Sequence, residues 1–243
     1  MVEVASLDLG NLKSVREFAD SFRENRDGLD LLINNAGVMA PPRRLTDDGF
    51  ELQFGTNHLG HFALASLLLD RMEGREDARV VTVSSGAHRF GRINFDDLQG
   101  ERSYGRWSAY GQSKLANLLF MFEFDRKLRA AGSTVRSVAA HPGYAATNLQ
   151  FAAAPALDRF VMGIGNFLMA QSAEMGALPT LYAATFPGLE GGTYIGPGGF
   201  MEQRGYPTPV GTTPAARDEA VAARLWQASE ELTGVSFKVP AAA

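Results

Sequence analysis

The chain has 243 residues, 45% hydrophobic and 21% charged, with a formal net charge of −4 at pH 7. That balance suits one soluble α/β domain with a sizeable core, and the acidic excess argues against a nucleic acid or an anionic membrane as partner. There is no cysteine, the four histidines show no metal-ligand spacing, and no apolar run approaches a membrane span, so disulfide, thiolate and metal chemistry fall away and a cytoplasmic protein is expected.

Met1 to Leu7 reads as a short strand carrying Val2, Val4 and Leu7. Asp8-Leu9-Gly10-Asn11 is a turn, with Asn11 as N-cap of an amphipathic helix built on Leu12, Val15, Ala19 and Phe22 and ended by Asp27-Gly28. Leu29 to Ile33 is a second, buried strand. It runs out into Asn34-Asn35-Ala36-Gly37, amide and small residues that suit a ligand-facing strand end or, equally, a plain turn. Beyond Pro41-Pro42-Arg43-Arg44, the run Thr46-Asp47-Asp48 is expected to open a long helix to about Met72. Asn57 and Gly60 are poor helix formers in its middle, and such misfits mark packing or function. His58 and His61 on the same helix read as packed residues before ligands.

Arg79 to Ser84 is a third strand. A polar loop from Gly86 to Trp107 follows, anchored by Phe90, Ile93, Phe95 and Leu98 and long enough to act as a lid. The helix of Tyr110 to Arg129 comes next, with Leu115, Leu118, Leu119 and Phe122 along one face. Thr134 to Ala140 is a fourth strand that stops at His141-Pro142-Gly143, with Thr147 four residues beyond. Phe151 to Ala170 is apolar and Met-rich, which suits a pocket wall, an interface or plain core. Ser172 caps a helix over Ala173 to Thr185. Gly192 to Gly196 forms a last short strand, the stretch to Pro209 is irregular, and Asp218 to Leu232 is a final helix stopped by Gly234.

Near-continuous apolar strands alternating with helices predict a parallel sheet covered on both faces, which binds ligands beyond the carboxyl ends of its strands. Chemistry-bearing residues gather at those ends: Asp8, Asn35-Ala36-Gly37, Ser84-Ser85 and Pro142-Gly143. Tyr110 and Lys114 share a helix face. A phenol titrates near pH 10. An ammonium about 4 Å away, at an effective dielectric near 20, would favour the phenolate by about 4 kcal/mol. That would bring Tyr110 toward the pH of a working general acid–base, with Ser85 holding a substrate oxygen. An ordinary helical pair is the alternative for Tyr110 and Lys114 taken alone.

In order and spacing, Asn34-Asn35-Ala36-Gly37, Asn57-His58-Leu59-Gly60-His61-Phe62, Val83-Ser84-Ser85, Tyr110-Gly111-Gln112-Ser113-Lys114 and His141-Pro142-Gly143 with Thr147 resemble the short-chain dehydrogenase/reductase family over nearly the whole chain. Asn57 to Phe62 and Gly191 to Pro197 are most similar to its retinol dehydrogenase and protochlorophyllide reductase-like branch. The resemblance implies an α/β, Rossmann-like, doubly wound parallel sheet that transfers hydride between NADP, or alternatively NAD, and an apolar carbonyl or alcohol. It implies Tyr110 as general acid–base, Lys114 lowering its pKa and holding the nicotinamide ribose, Ser85 on the substrate oxygen and Asn57 on a relay water. Asp8 with Leu9 would meet the adenine, Asn35, Ala36 and Gly37 would line the cofactor, and Pro142, Gly143 and Thr147 would face the nicotinamide. The helices of Asn57 and Tyr110 would offer a homodimer face.

The family's Gly-rich pyrophosphate turn has no counterpart before Asp8. The single domain over 1–243 therefore reads as N-terminally incomplete, missing its first two β-α units. A remnant kept as a binding or interaction module is the alternative to a working reductase. A Ser85 hydrolase is weaker, because no Gly-x-Ser-x-Gly elbow surrounds that serine.

Overall fold

The computed structural model describes residues 2–143 and 171–237. Thr147 and the apolar stretch from Phe151 to Ala170 lie outside them. Five strands form one sheet in the order β1 (Leu31–Asn34), β2 (Arg79–Val83), β3 (Arg136–Ala140), β4 (Tyr194–Pro197) and β5 (Pro207–Pro209). The first four are parallel, and β5 returns antiparallel to β4. Every residue of β2 is buried, and successive valines face opposite layers, as strand alternation requires. Val80 joins a core with α1 (Leu12–Asn25), α3 (Gly60–Leu68), the Phe120–Leu128 part of α4 (Arg106–Ala130) and Trp226 of α6 (Glu219–Thr233). Val81 joins Val138, Ile195 and the Ala183-Ala184 end of α5 (Ala173–Thr185) on the other face. The sheet is thus covered on both sides, as the apolar strands predict.

Helix ends fixed by local chemistry fall where expected. Asn11 accepts from Ser14 N, Ser172 from Met175 N and Asp218 from Val221 N. Gly234 ends α6 in the left-handed region. Three expectations are corrected. Residues 2–7 form no strand, and Val2 and Val4 are exposed; β1, the sheet edge, pairs with β2 alone among the described strands, and Val2 to Leu7 do not add to it.

The long helix does not begin at Thr46. Thr46 Oγ1 accepts from Phe50 N, Gly49 turns at φ +84°, and Leu45 bridges Glu51. The carboxylates of Asp47 and Asp48 reach instead to the N-terminus of α1, where they accept from Asn11 Nδ2 and Leu12 N. The helix then starts as α2 (Leu52–Phe54), with Glu51 accepting from Gln53 N and Phe54 N. The third correction is β5: the irregular stretch before Pro209 closes a hairpin with β4, whose edge tolerates its prolines. The helix of Tyr110 also opens four residues early, at Arg106.

Candidate active site at the carboxyl ends of the strands

Between α2 and α3 the helix widens into a π-helical turn, Gly55–Leu59. Such one-turn bulges recur at functional sites; this one carries Asn57, and Gly60 caps it. Gly60 is required because Leu9's backbone packs where a Cβ would stand. Asn57 is fully buried, and its amide clamps one loop residue from both sides: Val38 N donates to Oδ1 at 2.8 Å and Nδ2 donates to Val38 O at 2.9 Å. Nδ2 also reaches Ser113 Oγ at 2.9 Å, and Ser113 Oγ donates to Tyr110 O at 2.9 Å. A single chain of bonds therefore ties the loop after β1 to the turn of α4 that bears the phenol.

His61 Nδ1 lies 3.0 Å from Asn57 O, and because a carbonyl only accepts, that nitrogen carries the hydrogen. His58 Nε2 donates to Ser229 Oγ at 2.9 Å, since that hydroxyl gives its own hydrogen to Leu225 O. Burial holds both rings neutral, pushing His58 down to about 3 and His61 to about 4. The two histidines are packed residues, as the sequence suggests.

Lys114 is buried, and burial lowers its pKa to about 8. Its Nζ donates to Val83 O at 3.2 Å, a carbonyl that Asn117 Nδ2 also meets at 3.1 Å. Ser84 Oγ donates to Lys114 O at 2.7 Å and pins α4 to the end of β2. Tyr110 is buried too, with its hydroxyl bonded to the side chain of Ser85. Burial raises the Tyr110 pKa and the Ser85 bond only partly opposes it. Lys114 Nζ stands 5.7 Å from the phenol ring centroid and is itself desolvated, so burial sets the direction, opposite to the lowering expected from the sequence.

Gly37 faces this group: a Cβ there would lie 2.8 Å from Asn57 Oδ1 and 3.8 Å from Lys114 Nζ. Asn35 and Ala36 are exposed beside it. Ser84 N donates to Ala140 O at 2.8 Å, which sets the end of β3 beside the end of β2. Pro142 and Gly143 follow there, with Pro142 O accepting from Gln171 Nε2 at 2.7 Å. Leu9 is buried against Gly60, whereas Asp8 is exposed and spends Oδ1 on Gly10 N at 2.8 Å. The structure therefore gathers Gly37, Asn57, Ser85, Tyr110 and Lys114, with Pro142-Gly143 at the next strand end.

Sequence reasoning gave no role to Ser113, although it sits inside the Tyr-x-x-x-Lys motif. A hydroxyl three residues from the phenol on a buried helix face was the available signal. It also missed Arg89, His141 and Glu202 as a group, because they meet only in three dimensions.

These residues fit one end of a dinucleotide. An ammonium has three donors, and among the described residues Lys114 Nζ has one hydrogen bond recorded, to Val83 O, beside a glycine whose missing side chain leaves room for a ribose. The pyrophosphate end finds no comparable cradle at α1, whose first turn is already taken by Asn11 and the carboxylate of Asp48.

A parallel sheet with a buried phenol and amine beside a serine at its strand ends fits an oxidoreductase of the NAD(P)-binding class, and comparison with known proteins agrees. The short chain dehydrogenase family matches residues 1–157, and the chain belongs to it. Mouse retinol dehydrogenase 14 is 40% identical over 235 residues, 96% of this chain and 67% of the relative. Mouse polyprenol dehydrogenase is 43% identical over 233 residues, 94% of this chain and 67% of the relative. The crystal structure of an uncharacterized protein from Mycobacterium paratuberculosis is 50% identical, with a TM-score of 0.81, over 98% of this chain and 78% of that one. Within the family the chain falls in the retinol dehydrogenase-like branch, a group of enzymes. Among the described residues no helix is long and apolar enough to cross a membrane.

Proposed function

We propose that the chain interconverts an apolar carbonyl and its alcohol with NADP, or alternatively NAD, and that Tyr110, Lys114, Ser85 and Asn57 are its acid–base group. The observation that carries this is the hydrogen bond of the buried Tyr110 hydroxyl to Ser85, beside a buried lysine at the strand ends. When bound, the nicotinamide supplies the hydride. Tyr110, protonated at neutral pH because burial raises its pKa, gives its proton to the substrate oxygen. Ser85 Oγ holds that oxygen. Lys114, lowered to about 8, uses its spare donors on a ribose hydroxyl and returns a proton toward Tyr110. Asn57 keeps Val38, and with it Gly37, at the height the ribose needs. Reduction draws a proton from the phenol and oxidation returns one to the phenolate.

Asp8 and Leu9 on the adenine, Asn35, Ala36 and Gly37 along the cofactor, and Pro142, Gly143 and Thr147 against the nicotinamide complete the proposed contacts. The pyrophosphate is held by β-α units that would pair with β1. Two observations support this: β1 is the sheet edge, and both amide atoms of the buried Asn34 lack a partner among the described residues. The relatives are a retinol and a polyprenol dehydrogenase, so a long apolar allylic aldehyde or alcohol is the proposed substrate class. A homodimer across the Asn57 and Tyr110 helices and a cytoplasmic location, the latter resting on the cysteine-free composition, complete the proposal.

The test is titration of NADPH and NADH into the 243-residue chain and into one carrying an upstream Gly-rich unit. NADPH oxidation is then followed with retinal and with a short ketone. Binding by the extended chain and turnover of retinal before the ketone are expected. Failure of both chains to bind either nucleotide would overturn the reading.

A further inference from the structure

The wall bearing Pro142 and Gly143 is held by residues that the acid–base group does not use. The hairpin between β4 and β5 is closed by Gly198 N to Tyr206 O and Gly199 N to Arg204 O. At its tip Met201 and Glu202 both adopt positive φ, 50° and 57°. For residues with a Cβ that conformation is strained and persists where the surroundings impose it.

What the turn presents is a carboxylate. Glu202 accepts from Arg89 Nη2 through both oxygens, at 2.9 and 2.8 Å. Its Oε2 lies 3.4 Å from Nε2 of the buried His141. The opposite ring nitrogen of His141 accepts from Gly143 N at 3.2 Å, so the hydrogen sits on Nε2, toward Glu202. Next to the same turn Gln203 O packs where Gly143, at φ +66°, would carry a Cβ. Gln171 closes the ring, bonded to Pro142 O and to Gly205 N. Arg89 in turn lies four residues after Ser85, next to His88, whose Nδ1 donates to Ser85 O at 2.7 Å. Burial pushes His141 down to about 4 while Glu202 pulls it up, with His88 and Arg89 opposing. The Tyr194 ring lies 5.1 Å from it.

We propose that Glu202 is a positioning residue: held in a strained turn, its carboxylate links the Ser85 segment through Arg89 to His141, and His141 fixes the Gly143 backbone. The inference rests on the function proposed above only for what the Gly143 wall serves. The two strand ends then move as one unit, so the substrate-oxygen side and the nicotinamide side keep their spacing.

The test uses the full chain with ¹³C and ¹⁵N labels and reads the His141 ring nitrogens and the Gly143 amide by NMR. Glu202→Gln and Arg89→Met should each move both sets of signals, and the double variant should move them no further than Glu202→Gln alone. Met201→Gly, which relaxes the turn but keeps the carboxylate, should leave them in place. Under turnover, Glu202→Gln should raise KM for NADPH about tenfold with kcat changed less than about twofold. Tyr110→Phe should abolish turnover without moving the His141 or Gly143 signals. No turnover in the wild-type chain extended by a Gly-rich unit would therefore sink the functional reading, while the spectra still decide this one. Unmoved His141 and Gly143 signals in Glu202→Gln, or equal movement in Met201→Gly, would overturn the role of Glu202.

Discussion

The two walls of the site are built on different principles. On the β1–β2 side, Asn57, Ser113 and Lys114 are buried and tied by short hydrogen bonds to backbone and to one another. On the β3–β4 side, Gly143 rests on a hairpin tip with two strained residues and an ion pair whose arginine is 47% exposed. The first wall holds groups whose protonation matters, and burial sets their pKa values. The second holds backbone, beside a carboxylate held by Arg89. Rigid burial suits proton chemistry because a desolvated phenol and amine respond strongly to each new contact.

Acid should destabilise the fold through its buried histidines, and His58 and His61 give the largest pair. In the unfolded chain His58 and His61 gain protons below pH 6.5, whereas in the fold they resist until about 3 and about 4. The unfolded state therefore binds more protons, and stability falls as pH falls from 6.5 toward 4. The loss is on the order of 4 kcal/mol by pH 5. Urea melts at pH 7 and pH 5 measure it, and replacing His58 and His61 by Gln and Asn should flatten the profile. Asn57→Leu comes next: it strips partners from both polar groups of Val38 and from Ser113, and should cost about 3 kcal/mol.

Lys114→Met separates stability from activity. The lowered pKa of Lys114, about 8, means the fold disfavours its charge. The unfolded chain keeps that proton up to its ordinary range, so the fold carries this cost at pH 7 and is relieved of it as pH rises from about 8. Removing the amine should raise stability by on the order of 2 kcal/mol at pH 7 while hydride transfer is lost, read by melting and by NADPH oxidation. The smallest effect falls on the second wall, where Met201→Gly should stabilise by about 1 kcal/mol, because glycine accepts positive φ without strain.

Residues whose partners lie nearby in sequence were legible from the start. Asn11, Ser172 and Asp218 cap the helices they precede, because a cap needs only the next three residues. The β2 and β3 strands announced themselves by composition. Thr46-Asp47-Asp48 has the same chemistry as a cap, yet its carboxylates serve α1, some 36 residues away in the chain. Val2 to Leu7 has strand composition, but a strand needs a neighbour and sequence does not say where the sheet ends. In the site, four-residue spacing did place Tyr110 and Lys114 on one face. It could not give the separation or burial that sends the phenol's pKa up instead of down. The misfit of Asn57 in a helix did point to a special position, which proved to be a π-helical turn.

The central claim is that Tyr110 is the proton donor in a hydride transfer. The direct measurement is retinal-dependent NADPH oxidation by the chain extended upstream with a Gly-rich unit, compared with the Tyr110→Phe variant after both are shown to melt alike. The account predicts turnover in the first and a fall of about 10²–10⁴-fold in the second. Equal turnover in the two proteins, or none in the first, would contradict it.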